Sequence, residues 1–569
     1  MKSSRALSLL FLLSIACGAP STVATPPAPA PTPAAPTAPA VTQPASVAPV
    51  TLSEAPRNWQ LLDEGIDHIP GISADRAMNE LLAGKAPKKK VLVAIIDNGI
   101  DTAHVDLKAN LWVNPKEKPG NKEDDDHNGY VDDVHGWNFI GGQDGQDVHF
   151  DTFEVTREYA RCHGGAAASG APKITDSARC AEISAAFEKQ RNEIQGNVQN
   201  YQQALQVLQQ IQPLLKTAIV ADTALRRTLG RDTLSVEHVQ ALKPTTPQLT
   251  QARQIWLQLA QEGATETVLS DGLKSLEGQL KNGLNPDYNP RTLVADNYTD
   301  WHQRNYGNAD VMGQDAKHGT HVAGIIGAVR GNGVGIDGIA PSVTFMMIRT
   351  VPDGDERDKD VGNAIRYAVD NGAQIISMSF GKAFSPYKAA VDDAVKYADA
   401  HGVLMVHAAG NDGADLSKAK NFPNPTYLDG GHPNLWIEVG ASSWKGGDKL
   451  AAEFSNYGQQ QVDLFAPGVD ILSTVPGNQY ERDSGTSMAA PVVTGVAALL
   501  MSYYPNLSPA DVRKILVSSV SKYPTQIVTR PGDAKDHVAF GALSVTGGIV
   551  NAYNAVKMAE QMGGGRVIP

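Results

Sequence analysis

Three properties are scarce in this chain, and each scarcity narrows what it can be. Basic charge is outweighed: 49 Lys and Arg face 61 Asp and Glu, for a net charge of −12, which argues against nucleic acid as the main partner. Long apolar runs are wanting: the run Ala6 to Ala16 is too short to span a bilayer, and no other segment is read as long and apolar enough to cross one. Cysteine is almost absent, with Cys17, Cys162 and Cys180 the only three. What is present is a chain of 569 residues, long enough for more than one domain, with 42% hydrophobic residues for a sizeable core.

The N-terminus carries Lys2 and Arg5, then the apolar run, then Leu13-Ser14-Ile15-Ala16-Cys17-Gly18. This resembles a bacterial lipoprotein signal, although Ser14 stands where Leu is usual. The resemblance implies a signal peptide over 1–17 and lipidation of Cys17; plain secretory cleavage is the alternative. Residues 18–50, dominated by Pro, Ala, Thr and Val, read as an extended tether. The expectation is an exported monomer, lipid-anchored in a bacterial envelope or else secreted, touching membrane only through that anchor. Export permits a disulfide, and Cys162 and Cys180 flank a Gly/Ala/Ser-rich loop that one could close.

The chain is organised around Gly485-Thr486-Ser487-Met488-Ala489-Ala490-Pro491, which opens the apolar run Val492 to Leu500 and reads as the start of a buried helix. A Ser at that junction offers its hydroxyl where unpaired N–H groups and the positive dipole end favour an anion. It is a weak nucleophile unless a base takes its proton. The remaining sequence must therefore supply a His, an acid to orient it and a second donor for the anion.

Residues 51–90 form a lead-in with little periodicity. Val91 to Ile96 is an uninterrupted apolar run, the pattern of a central parallel strand, and Asp97 ends it where open α/β sheets place their sites. Asp124, Asp126, Asn128, Tyr130 and Asp132 follow the spacing of an EF-hand calcium loop with Gly129 at its turn; His135 stands where the closing Glu belongs, so the set reads as a partial calcium site completed from elsewhere in the fold. Residues 151–285 break the α/β rhythm. Phe187, Ile194, Val198, Tyr201, Leu205, Leu208 and Leu215 mark a helix with a narrow apolar stripe, a shorter piece lies at Val236 to Leu242, and Thr246-Pro247 starts another helix that ends near Gly263. This reads as an inserted helical hairpin or bundle without a catalytic constellation, serving a structural or substrate-restricting role.

The α/β pattern then resumes. His318-Gly319-Thr320-His321 opens a helix of small and apolar residues, and Val403 to Val406 runs as a strand into His407-Ala408-Ala409-Gly410-Asn411. Together with Asp97-Asn98-Gly99 and Gly485-Thr486-Ser487-Met488-Ala489, these segments resemble the Asp, His and Ser boxes of the subtilisin-like serine peptidases, in that family's order. The resemblance covers about 90–150 and 286–561. It implies a three-layer α/β fold with a mostly parallel central sheet flanked by helices, the peptidase domain occupying 91–150 and 286–561 and a flexible tail at 562–569. It further implies Asp97, His318 and Ser487 as the catalytic triad, Asn411 as oxyanion donor, and Ser379-Phe380-Gly381 as the edge that pairs with substrate backbone. His321 would pack, protein or peptide would be the substrate, and no catalytic cofactor would be needed. The lead-in is short for the usual inhibitory prodomain, and the stretch between the Asp and His boxes is greatly enlarged. A non-enzymatic surface protein would not need all four residues, and an esterase would carry Gly-x-Ser-x-Gly.

Overall fold

The computed structural model describes residues 47–563 except 223–224, 226–233 and 262–263. The leader, Cys17, the tether to residue 46, Gly263 and residues 564–569 lie outside these residues. Of the described residues, those of 47–184 and 282–563 form one unit, and those of 185–281 another.

The larger unit is built on a nine-stranded sheet. Its strands in chain order are β1 (Val91–Asp97), β2 (Gly136–Asn138), β3 (Val343–Arg349), β4 (Ile375–Met378), β5 (Leu404–Ala408), β6 (Trp436–Ser442) and β7 (Leu464–Pro467). After these, β8 (Ile471–Val475) and β9 (Gln479–Asp483) pair as a separate ribbon, β10 (Ser521–Lys522) is an edge strand of the main sheet, β11 (Ile527–Arg530) and β12 (Asp533–Ala539) form a second ribbon, and β13 (Gly548–Ile549) completes the main sheet. Its order is β10-β13-β7-β6-β5-β4-β1-β3-β2, with only β10 and β13 antiparallel to each other. β1 lies between β3 and β4, so the chain departs to one side of it and returns to the other. That switch is where an open α/β sheet leaves a crevice beyond its carboxyl ends.

The continuous apolar run of β1 serves both faces, as a central parallel strand requires. Val91, Val93 and Ile95 enter one core, with α6 (Lys317–Gly327), α9 (Thr486–Tyr503) and α10 (Pro509–Ser518). Ala94 and Ile96 enter the other, with α7 (Asp358–Asp370) and α8 (Lys388–Ala400). α9 is long and apolar enough to cross a membrane, contrary to the sequence expectation. All of it is buried against the sheet, so its apolar surface is already satisfied by protein.

The host begins earlier and the insertion later than the sequence suggested. Val50 N–H donates to the Lys445 carbonyl at 2.8 Å, which pins the end of the expected tether. Within the lead-in, Trp59 is fully buried and its Nε1 donates to the Val469 carbonyl at 2.9 Å. Ile72 and Ser73 hold the start of the last helix α11 (Ala552–Gly563), through Ala552 N–H and Asn551 Nδ2. Residues 151–184, expected to be insertion, belong to the host. Its helix α1 (Glu154–His163) carries Glu154 and Arg157, and both are buried among host charges. Burying such groups is tolerable only with partners, and these bind them to the host. Cys162 and Cys180 are joined in a disulfide, which ties α1 to the first turn of α2 (Ser177–Ala221).

The unit 185–281 is helical. It contains most of α2, with α3 (Val236–Ala241), α4 (Pro247–Gln261) and α5 (Glu266–Gly278). Phe187, Ile194, Tyr201, Leu208 and Leu215 of the expected stripe are buried, while Val198 and Leu205 are half-buried.

Candidate active site

Asp97 occupies the carboxyl end of β1 and is buried. His318 is in the first turn of α6, 221 positions later, and its Nδ1 donates to Asp97 Oδ1 at 2.7 Å. The two elements meet closely because residue 319 is Gly: a Cβ there would lie 2.2 Å from the Gly99 carbonyl oxygen. The Gly319 N–H donates to Asn98 Oδ1 at 2.9 Å, fixing the helix start on the turn after Asp97. Burial pulls the His318 imidazole down, but the charge and hydrogen bond of Asp97, aided by Asp483, outweigh it and hold the group above its ordinary 6.5. His321 is buried, with Nε2 facing the carbonyls of Ile471 and Glu481 at 3.1 Å each, and burial lowers it to about 4. It is a neutral packing residue between the β8–β9 ribbon and α6.

Ser487 lies in the first turn of α9, where its own N–H has no acceptor inside the helix. Pro491 has no N–H to give to the Ser487 carbonyl four residues earlier. Ser379 replaces it: its Oγ donates to the Ser487 carbonyl at 3.0 Å, and Ser487 Oγ donates back to the Ser379 carbonyl at 3.0 Å. The nucleophile candidate and the expected substrate edge are therefore fastened to each other. In this arrangement the hydroxyl is turned to Ser379, and a rotation about one side-chain bond releases it.

Asn411 follows β5, and its amide is oriented by donors. Thr486 N–H and Thr486 Oγ both donate to Asn411 Oδ1, at 2.8 and 3.0 Å. A backbone N–H can only donate, so the atom facing it must be the oxygen, and Nδ2 presents its hydrogens elsewhere. Gly410 precedes it with φ +102°, and a Cβ there would lie 2.3 Å from Asn456 Nδ2. Asn456 in turn accepts from Asp412 N–H and Ala414 N–H and donates to the Ala409 carbonyl.

The acidic loop brings Asp124 and Asp126 of its expected ligand set together and adds a residue from outside its spacing. Asp124, Asp126 and Glu117 bring carboxylate oxygens within 4.8 Å of one another. Glu117 is buried, its Oε2 has no donor among the described residues, and burial raises its pKa, with the charges of Asp126 and Asp125 adding to the rise. Asp132 is not part of this group. Its carboxylate accepts from Gly120 N–H and Lys122 N–H at 2.8 Å each. Asn128 spends its amide on Tyr130 N–H and Asp133, and the Tyr130 ring packs on Trp137 and Tyr367.

Thr486, Asn98, Asn456 and Glu117 are contributors the sequence reading did not single out. Thr486 carried a signal, being next to Ser487; Glu117 carried none, lying outside the loop's spacing.

An Asp at the end of the central strand, a His and a Ser each opening a helix beneath that crevice, and an amide donor beside the Ser define the subtilisin-like serine peptidase class. The subtilase family profile matches residues 88–542, and the chain belongs to that family. Over 186 residues it is 43% identical to the thermophilic serine proteinase of Bacillus sp. (strain AK1), covering 32% of this chain and 42% of that one. Over 222 residues it is 38% identical to the major intracellular serine protease of Bacillus subtilis (strain 168), covering 38% and 64%. Over 260 residues it is 36% identical to the intracellular serine protease of Paenibacillus polymyxa, covering 45% and 72%. The chain thus spans less than two thirds of the length of the first two relatives.

Proposed function

We propose that this chain is a serine endopeptidase that hydrolyses peptide bonds in protein substrates. The observation that carries the reading is the Asp97–His318 hydrogen bond at the sheet's switch point, with Ser487 opening the neighbouring helix. In the reaction, Ser487 Oγ leaves the Ser379 carbonyl and gives its proton to His318 Nε2 as it attacks the scissile carbonyl. Asp97 holds the imidazole by Nδ1 and stabilises its charged form. Asn411 Nδ2 and the Ser487 N–H bind the tetrahedral oxyanion. The imidazolium then gives its proton to the leaving amine, and water repeats the sequence on the acyl-enzyme. The segment Ser379-Phe380-Gly381, which follows β4, supplies the edge for substrate backbone. The test is incubation of the full chain with unfolded casein and, separately, with a fluorophosphonate probe. Cleavage together with labelling at Ser487 supports the reading, and neither occurring overturns it.

The base must be neutral to accept a proton, and His318 is held above 6.5. The acid limb of kcat/KM is therefore expected above pH 6.5. Asp97→Asn removes the largest raising influence and shifts that limb downward in the residual activity, as a pH–rate series will read.

Calcium is proposed at Glu117, Asp124 and Asp126. The donors are hard oxygens, and the buried, unpartnered Glu117 Oε2 fits a cation. A bound ion would neutralise the mutually repelling carboxylates of the loop. Excess chelator is expected to lower the melting temperature by about 3 °C, the scale of losing an ion bound at some hundredfold over its Kd from a folding unit of this size. Glu117→Gln should lack that response in calorimetry.

Export, with lipidation at Cys17 and the Pro/Ala-rich tether holding a monomeric enzyme to the envelope, is proposed on the leader sequence. The Cys162–Cys180 bridge supports an oxidising compartment.

A further inference from the structure

His407 sits in β5 among apolar neighbours, in direct register with Met378 of β4 and Glu438 of β6. It is fully buried, and Glu438 is nearly so. Its Nε2 lies 2.9 Å from the Phe380 carbonyl oxygen, which only accepts, so Nε2 carries a hydrogen. Its Nδ1 lies 2.9 and 3.1 Å from the two carboxylate oxygens of Glu438. The same carboxylate accepts from Trp436 Nε1 at 2.8 Å. The ring also meets Phe380 edge-on, with centroids 6.3 Å apart at 84°, and packs on Trp436 at 5.3 Å.

A buried His–Glu pair is a poor way merely to fill a sheet: apolar side chains of similar volume generally do so at equal or lower cost. What apolar residues could not give is a hydrogen for the Phe380 carbonyl. That carbonyl needs one because the β4–β5 pairing ends at Met378↔His407, and the next pairing is the bridge between Lys382 and Phe422. Residues 379–381 span the gap. Within it, the Ser379 carbonyl faces Ser487, while the Phe380 carbonyl is drawn into the sheet by His407.

We propose that His407, anchored by Glu438 and Trp436, is a positioning residue for substrate: by holding the Phe380 carbonyl inward it fixes which main-chain groups of 379–381 face the cleft. It rests on the peptidase reading and assigns the pair a role in binding extended peptides rather than in bond breaking.

The test compares the parent with His407→Leu, His407→Gln and Glu438→Gln, using a tetrapeptide anilide for kcat and KM and the labelling rate of Ser487 by a fluorophosphonate. His407→Leu is expected to raise KM about tenfold, with kcat and labelling rate within about threefold of the parent. His407→Gln, whose amide can still donate to the Phe380 carbonyl, should recover most of the loss. Glu438→Gln keeps a partner for both Trp436 and the ring and should stay near the parent. An unchanged KM in folded His407→Leu overturns the proposal, as does an equal fall in labelling rate. Should His407→Leu fail to fold, a KM more than about tenfold raised in either glutamine variant overturns it, and near-parent values in both support it. Absence of cleavage and labelling in the parent would overturn the peptidase reading and this proposal with it; labelling in the parent and in folded His407→Leu alike with unchanged KM overturns this proposal alone.

Discussion

Ser487→Ala is expected to lower kcat on a peptide substrate roughly 10^6-fold while leaving KM close to the parent's, the scale found when the serine of a subtilisin is removed. On the proposed mechanism Ser487 forms the covalent bond while the 379–381 edge holds the peptide, and the substitution leaves that edge in place. His318→Ala should match it, and the double variant should be no worse than either, because a nucleophile without its base and a base without its nucleophile do equally little. Asn411→Ala should cost less, about 10^2–10^3-fold in kcat, since it removes one of two oxyanion donors. It also strips Thr486 of the acceptor for two hydrogen bonds, so its fold must be checked by circular dichroism beside the kinetics. Equal, additive losses at Ser487 and His318 would mean the two side chains do not act as a unit.

The largest loss of stability is expected at Lys382, one residue beyond the substrate edge. Its ammonium is buried 2.7 Å from Glu154 Oε2 and 2.8 Å from Asp358 Oδ1, and it donates to the Glu356 carbonyl at 2.8 Å. Burial works against the charge, but Asp358 and Glu154 outweigh it and hold the lysine strongly protonated. Glu154 keeps Arg157 when Lys382 is lost, at 2.7 Å, but Asp358 is left with the Tyr387 N–H among the described partners. Glu356 gives no relief, because burial pushes it up to about 8 and favours its neutral form. Lys382→Met should therefore cost about 3–5 kcal/mol in urea unfolding, the range for removing one partner of a buried pair. The loss should shrink as pH falls, since protonating the orphaned carboxylate removes the buried charge. Adding Asp358→Asn should recover part of it at neutral pH.

The parts of the fold legible in sequence were those whose cause is local. β1 is apolar throughout because both its faces are covered, and α9 announces itself by a turn and an apolar run. Asp97, His318, Asn411 and Ser487 each stand at an element's end, where short-range spacing marks them. The illegible parts depend on partners far along the chain. Nothing near Glu154 tells that its counter-charges include Lys382, so 151–184 looked like insertion. Asp132 fits a calcium spacing, yet backbone donors at Gly120 and Lys122 claim it, while Glu117 enters from outside the loop. His407 and Glu438 lie 31 positions apart and become a pair only through the register of β5 and β6. α9 passes for a membrane segment by composition because complete burial in protein and immersion in lipid select the same residues.

The lead-in carries a consequence for how such an enzyme could be switched on. Trp59 is sealed beneath Val469, Val50 is tied to Lys445, and Ile72 and Ser73 hold the start of the last helix. A segment stitched in at so many points is a wall of the finished enzyme rather than a detachable plug. Removing residues 51–90 to unmask the cleft would strip cover from the core itself, so activation by loss of this segment is not expected of this fold.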